Sequence, residues 1–87
     1  MVLDDRVALV TGAGQGIGRG IALALAAAGA TVAVVGRTPG TIESVAGEIV
    51  ARGGSAAPFT CDVTDESAVS ALVAAVAGEF GGVDVLV

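Results

Sequence analysis

Glycines crowd a short segment that follows the first apolar run of the chain. Four of the seven residues from Gly12 to Gly18 are glycine, and the apolar run 7–10 lies just before them. Such a turn can adopt backbone angles that a Cβ forbids, and it lets the backbone approach a ligand closely. If a helix follows, its free N–H groups and its positive dipole end make an anion site there. The pattern indicates a phosphate site, although a loop that only turns tightly would also use these residues.

Known phosphate-binding patterns can be compared with this turn. A P-loop requires Gly-Lys followed by Ser or Thr, and the chain contains no lysine. The usual dinucleotide pattern G-x-G-x-x-G does not fit in any register. When it starts at Gly12, Gly14 or Gly16, its third glycine would fall on Ile17, Arg19 or Ile21. The G-x-G-x-G turn of many S-adenosylmethionine-dependent methyltransferases matches 12–16, but Gly36-Arg37 stands where those enzymes carry an acidic residue. The pattern that fits without a gap is T-G-x-x-x-G-x-G, from Thr11 to Gly18.

The elements that must position this turn follow from the spacing of apolar residues. Short apolar runs predict strands at 7–10, 31–35, 55–60 and 83–87. Helical spacing predicts three helices. The first begins at 17 and ends at Gly29, and the second begins at Thr38-Pro39 and ends at 53–54. The third begins at 64–65 and ends at 81–82.

Alternating strands and helices with nearly continuous apolar strands predict a parallel sheet covered by helices on both faces. Right-handed crossovers then favour the strand order 3-2-1-4, a Rossmann-type doubly wound α/β fold. Pro58 places the third strand towards a sheet edge. Residues 1–87 form one unit in this interpretation, and we expect it to be truncated because Val87 stands inside an apolar strand.

Three segments resemble the short-chain dehydrogenase/reductase family. They are the stretch 8–20 around the glycine turn, the segment 61–65 (Cys-Asp-Val-Thr-Asp), and the final stretch 82–87. The second is similar to the family's D-V-x-D segment, and the third resembles the strand leading into its N-N-A-G motif. The resemblance spans the whole chain and implies a dinucleotide-binding fold.

The resemblance also implies roles for individual residues. Gly12, Gly16 and Gly18 would shape the turn, with Gly14 between them. The backbone around Gln15 and Ile17 would meet the ribose-phosphate. Ile17 also falls at the helical spacing of the apolar residues that follow it, so we expect its side chain in the core. Asp62 would accept a hydrogen bond from the adenine amino group, beside the Val63 backbone. Asp62 has a plainer alternative, since a carboxylate there can bind nearby backbone donors before a helix start.

Arg37 favours NADP over NAD as the cofactor. A carboxylate after the second strand would bind both ribose hydroxyls and repel a 2′-phosphate, whereas arginine pairs with that phosphate. No carboxylate lies between Gly18 and Glu43. Relatives that prefer NADP often carry a second basic residue where this chain has Gln15. Arg19 is near in sequence, but its side chain is free to point away; Arg37 itself has the alternative of an ordinary solvated charge.

The chain lacks the residues that the family uses for catalysis. It contains no tyrosine and no lysine, and no serine at a matching position, so we predict no catalytic residue, no metal site and no activity for these 87 residues. The resemblance implies hydride transfer between NADP(H) and an alcohol or carbonyl substrate in a parent enzyme, which we expect to be a homo-oligomer. The alternatives are a non-catalytic dinucleotide-binding or sensor module and a methyltransferase fragment. An N-N-A-G segment and a later Tyr-x-x-x-Lys beyond Val87 would indicate the enzyme.

Composition narrows the partners and the location. The net charge of −5 argues against a nucleic-acid partner, which normally requires a basic face. The single cysteine, Cys61, suits a reducing compartment and is expected to be a small buried side chain. No apolar run approaches the roughly 20 residues that span a bilayer. We therefore expect a cytoplasmic protein.

Overall fold

The computed structural model describes residues 3–14 and 16–87. Strands and helices alternate along them, as the hydrophobic pattern predicts. The strands are β1 (Val7–Thr11), β2 (Thr31–Gly36), β3 (Ser55–Thr60) and β4 (Val85–Leu86), and the helices are α1 (Gly16–Ala27), α2 (Pro39–Ala51) and α3 (Glu66–Phe80). The strands pair in parallel in the order β3-β2-β1-β4. The predicted α/β fold and its strand order are confirmed.

The central strands β1 and β2 are apolar because helices cover both of their faces. Side chains of a strand alternate between the two faces of a sheet. On one face, Val10 shares a core with Ile42 of α2. On the other face, Leu9 and Val35 share a core with Leu72 of α3. This two-sided burial explains the continuous apolar runs from which the parallel sheet was predicted.

The third strand forms one edge of the sheet. β3 pairs with β2, and Pro58 stands opposite Val34 in the register. Because proline has no N–H to donate to a ladder, an outer strand tolerates it better than a central one. The edge position predicted from Pro58 is confirmed.

The fourth strand is shorter than the predicted stretch 83–87, since regular strand structure is confined to Val85–Leu86. Asp84 explains the late start. Its N–H donates to the carbonyl of Val7 at 2.8 Å, and its carboxylate accepts from the N–H of Val7, also at 2.8 Å. The Asp84 side chain therefore accepts from the N–H of Val7 in β1, a group that would donate to a backbone carbonyl if the strand pairing extended further. Leu86 remains 70% exposed on this outer strand.

Helix ends follow the predicted capping residues with one difference. Asp65 caps α3 by accepting from the N–H groups of Ser67 and Ala68 at 2.9 and 3.2 Å. Gly81 ends α3 with φ +87°, a conformation that favours glycine. Thr38 occupies the N-cap position of α2, but its side chain makes no capping hydrogen bond. Its hydroxyl is therefore available to another partner.

Candidate functional site

The glycine-rich turn lies between β1 and α1, as predicted. Gly12 and Gly16 have φ of +63° and +62°, in the left-handed region that L side chains rarely adopt. The N–H of Ala13 donates to the carbonyl of Val35 at 3.1 Å, which ties the turn to β2. The first N–H groups of a helix have no acceptor within it, and the first turn of α1 carries no acidic side chain. The turn thus presents donors and a positive helix end to an anion.

Close contacts require glycine at two more positions of the turn. A Cβ on Gly18 would collide with the carbonyl oxygen of Gly12. A Cβ on Gly14 would stand 2.6 Å from Thr41 Oγ1. The missing side chains let α1 and α2 approach the turn and leave its backbone bare. A phosphorylated ligand fits such a cradle, because backbone N–H groups are its natural partners there.

A cleft of about 360 Å³ opens beside this turn, at the carboxyl ends of three neighbouring strands. It is lined by Gly12, Gly14, Gly36, Arg37, Thr38, Thr41 and Val63. Ligands of open α/β sheets bind outside the carboxyl ends of the strands. Among the described residues, Arg37 supplies the only charged side chain of the lining. The described lining therefore offers an anion one cation and contains no carboxylate.

Asp62 lies in the loop after β3, next to Val63 of the cleft lining. Its Oδ1 accepts from Thr64 Oγ1 at 2.7 Å and from the Thr64 N–H at 3.0 Å. These two hydrogen bonds lower the pKa of Asp62 below its ordinary value of 3.8, and the positive charge of Arg37 lowers it further. The local backbone role that the sequence left open for Asp62 is present, and Arg37 acts on the same carboxylate.

Replacing Thr64 with valine is expected to raise the pKa of Asp62 towards 3.8, because the stronger of the two hydrogen bonds is lost while the backbone one remains. A carboxylate with a lowered folded pKa stabilises the fold above its ordinary pKa, and this contribution is lost as the pH falls through the folded value. A carboxyl NMR titration of wild type, Thr64→Val and Thr60→Val as a control measures the shift. An unchanged Asp62 midpoint in Thr64→Val would contradict the assignment.

The structure brings together part of the predicted site. The predicted residues that line the cleft are Gly12, Gly14, Arg37 and Val63. The cleft lining does not include Gly16, Gly18 or Asp62, although these residues are close in sequence to residues that line it. Gln15 lies outside the described residues.

The expectation that Ile17 also belongs to the core is wrong. Its side chain is 84% exposed. Ile17 stands in the first turn of α1, and the buried residue of that helix is Ala22. Helical spacing placed Ile17 on the apolar stripe, but the stripe meets the sheet only from the second turn onward. Ile17 is thus an exposed apolar residue beside the glycine turn.

Three residues that sequence reasoning did not assign to the site also line the cleft: Gly36, Thr38 and Thr41. A Cβ on Gly36 would stand 2.6 Å from Ile42 Cγ2, so a side chain at this position would have to displace Ile42 where β2 meets α2. Thr41 Oγ1 donates to the Thr38 carbonyl at 3.0 Å. For Thr38, the signal that could have placed it in the site was its position directly after Arg37. Because Thr38 also precedes a proline, the pattern predicts only a helix cap.

Arg19 is engaged outside the cleft. Its Nη2 lies 2.5 and 2.7 Å from the two carboxylate oxygens of Glu48 in α2. Arg19 is also absent from the described lining. The side chain thus points away from the site, which was one of the orientations that the sequence left open.

A parallel sheet with a glycine turn, a helix N-terminus and a cationic cleft at its carboxyl edge defines a nucleotide-binding α/β protein of the dinucleotide type. The chain belongs to the short-chain dehydrogenase family, whose model matches residues 6–87. The family binds NAD or NADP. The resemblance found in the sequence is confirmed.

Individual relatives match nearly all of this chain. A D-threitol dehydrogenase of Mycolicibacterium smegmatis is 46% identical over 85 residues, which cover 98% of this chain and 33% of the relative. The citronellol catabolism dehydrogenase of Pseudomonas aeruginosa PAO1 has a TM-score of 0.95 at 46% identity, covering 98% of this chain and 36% of that one. A metagenomic short-chain oxidoreductase solved in complex with NADP has a TM-score of 0.95 at 40% identity, covering 99% and 39%. The chain spans about a third of the length of these relatives.

Proposed function

We propose that this chain is the NADP(H)-binding portion of an oxidoreductase that transfers hydride between NADP(H) and an alcohol or carbonyl substrate. The observation that carries the proposal is Arg37 in the lining of a cleft that begins at the glycine turn. A guanidinium pairs well with a phosphate through charge-assisted hydrogen bonds. The described lining contains no carboxylate that would repel the 2′-phosphate that distinguishes NADP from NAD; a carboxylate outside the lining, Asp62, lies next to Val63 and interacts with Arg37.

Each part of the cleft has a matching part of the cofactor. The N–H groups of the turn and of the first turn of α1 suit the pyrophosphate and ribose. Arg37 and the hydroxyl of Thr38, which makes no capping bond, suit the 2′-phosphate. Asp62 and Val63, in the loop after β3, suit the adenine edge. When bound, the nicotinamide supplies or accepts the hydride; the residues of this chain bind and orient the adenosine end.

The named activities of the relatives agree with this chemistry. The relatives are called a D-threitol dehydrogenase and a citronellol catabolism dehydrogenase, and the structure solved with NADP is a short-chain oxidoreductase. Threitol and citronellol are alcohols. For the whole protein we therefore propose a small-molecule alcohol or carbonyl substrate. The homo-oligomeric assembly that the family resemblance implies stays a prediction.

The proposal includes a cytoplasmic location. Cys61 is buried and unpaired, which suits a reducing compartment. In the ranges 3–14 and 16–87, no helix is long and apolar enough to cross a membrane.

Ligand titration of the 87-residue chain tests the proposal. NADPH and NADH are followed by their fluorescence, and S-adenosylmethionine by calorimetry. We expect NADPH to bind at least about tenfold more tightly than NADH, since each 1.4 kcal/mol changes affinity about tenfold, and S-adenosylmethionine not to bind. Equal or tighter binding of NADH would overturn the NADP preference. If S-adenosylmethionine bound to the chain and NADPH did not, the result would instead support the methyltransferase alternative.

Turnover by this chain is a separate test. Because its sequence contains no tyrosine and no lysine, we expect NADPH to bind without being oxidised when common ketones are added. Absorbance at the reduced nicotinamide band measures the rate. Steady oxidation by the purified chain would show that other residues supply the acid–base chemistry.

A further inference from the structure

Three charged side chains form a cluster on the outer surface of α1 and α2. Glu48 of α2 lies at its centre, with its two carboxylate oxygens 2.5 and 2.7 Å from Nη2 of Arg19. Nη2 of Arg52 binds the same carboxylate at 2.8 Å. The Glu48 side chain is 26% exposed, against 44% for Arg19 and 64% for Arg52. One carboxylate therefore holds two guanidinium groups, and its own side chain is the most buried of the three.

Arg19 starts close to the phosphate site. It follows Gly18, whose backbone lies against the carbonyl of Gly12 in the turn. Cβ atoms of a helix tilt towards its N-terminus, so a residue in the first turn of α1 can extend its side chain towards the glycine turn. Arg19 is nevertheless not part of the described cleft lining.

Glu48 draws the guanidinium in the opposite direction. α2 begins at the cleft, where Thr41 belongs to the lining, and Glu48 comes seven residues later. At about 1.5 Å per residue, Glu48 lies about 10 Å further along the helix than Thr41. The ion pair therefore holds the charge of Arg19 at a distance from the phosphate site and neutralises it.

We propose that Glu48 limits the discrimination between NADP and NAD by withholding Arg19 from the cleft. The inference rests on the proposed function, because it assumes that the cleft holds the phosphates of a nicotinamide dinucleotide. Glu48 is a positioning residue that acts through Arg19. With Glu48 neutral, Arg19 becomes a second cation beside the turn, in addition to Arg37. This cation strengthens the binding of NADP more than the binding of NAD, because NADP carries the additional 2′-phosphate.

The test compares Glu48→Gln with wild type in NADPH and NADH titrations at low and high salt. We expect E48Q to bind NADPH about threefold to tenfold more tightly, as one added partly screened charge allows, and NADH less than about twofold more tightly. The gain is expected to shrink at high salt. Glu48→Ala gives the same readout without an amide that could retain Arg19.

Three further variants separate a freed cation from a merely structural effect. Arg19→Gln breaks the same ion pair without freeing a cation, so it should not raise the NADPH-to-NADH affinity ratio. The double variant E48Q/R19Q should lose the gain of E48Q. Arg52→Gln leaves Arg19 bound to Glu48, so the ratio should stay within about twofold of wild type, as expected for an exposed pair. Thermal unfolding by circular dichroism compares how well each variant folds.

The outcomes distinguish the two proposals. If wild type binds NADPH more tightly than NADH but neither E48Q nor E48A raises the ratio, the role of Glu48 is wrong and the proposed function stands. A gain that persists in E48Q/R19Q also overturns that role. If wild type binds neither nucleotide, the proposed function itself fails.

Discussion

Replacing Gly18 with alanine is expected to destabilise the fold by about 3 kcal/mol or more and to abolish nucleotide binding. The added Cβ would collide with the carbonyl oxygen of Gly12, and the carbonyl carbon of the same residue would lie 2.7 Å away. Both atoms belong to the backbone of the turn, so no side chain can rotate to make room. Either α1 moves away from the sheet or the turn changes shape.

Gly20 provides the matched control for this substitution. It lies two residues further along α1, and a Cβ there would meet nothing within 4 Å. Gly20→Ala is therefore expected to stabilise the helix by about 0.5–1 kcal/mol, the usual gain from replacing glycine inside a helix. Urea unfolding measures both variants, and NADPH titration reports on the turn. If the two variants were equally stable, the contact between Gly18 and Gly12 would not limit the fold.

The architecture could be predicted from the sequence because it depends on local patterns. The apolar runs of β1 and β2 are buried on both faces, and the glycines at 29 and 81 have the positive φ that helix ends favour. Pro58 indicated an edge strand for a reason that involves one residue only. These signals lie within a few neighbouring residues, so they can be read from one sequence without knowledge of distant contacts.

Helical spacing predicted burial wrongly where the surface against which the helix packs does not extend far enough. Ile17 matches the apolar stripe of its helix but is 84% exposed. Periodicity shows which direction a side chain points around the helix axis, and it does not show how far the partner surface extends. Ile17 lies before that surface begins, in the first turn of α1.

The site was only partly predictable, because its remaining contacts join distant residues. Arg19 and Glu48 are 29 positions apart, and their pairing depends on how α1 lies against α2. Thr41 reaches the cleft only because Gly14 leaves space beside it. The late start of β4 after Asp84 likewise depends on the N–H of Val7, which lies 77 residues earlier in the chain. A single sequence carries no signal for such pairs.

Arg37→Gln is expected to weaken NADPH binding about 10- to 100-fold, as the loss of one charge-assisted interaction worth about 1.5–3 kcal/mol implies. NADH lacks the 2′-phosphate, so its affinity should change by less than about twofold. Arg6→Gln is the matched control, because it removes the same charge at the opposite end of β1, where Arg6 lies 3.7 Å from Asp84. Fluorescence titration of both nucleotides with each variant gives the four affinity ratios.

A second readout of Arg37 requires no nucleotide. The pKa of Asp62 is lowered first by its hydrogen bonds to Thr64 and then by the charge of Arg37, so Arg37→Gln should raise this pKa slightly and Arg6→Gln should leave it unchanged. A raised Asp62 pKa together with a selective loss of NADPH affinity would place one guanidinium between the carboxylate and the 2′-phosphate. An equal loss of NADPH and NADH affinity would instead show that Arg37 binds a phosphate common to both nucleotides, and the NADP preference would then need another source.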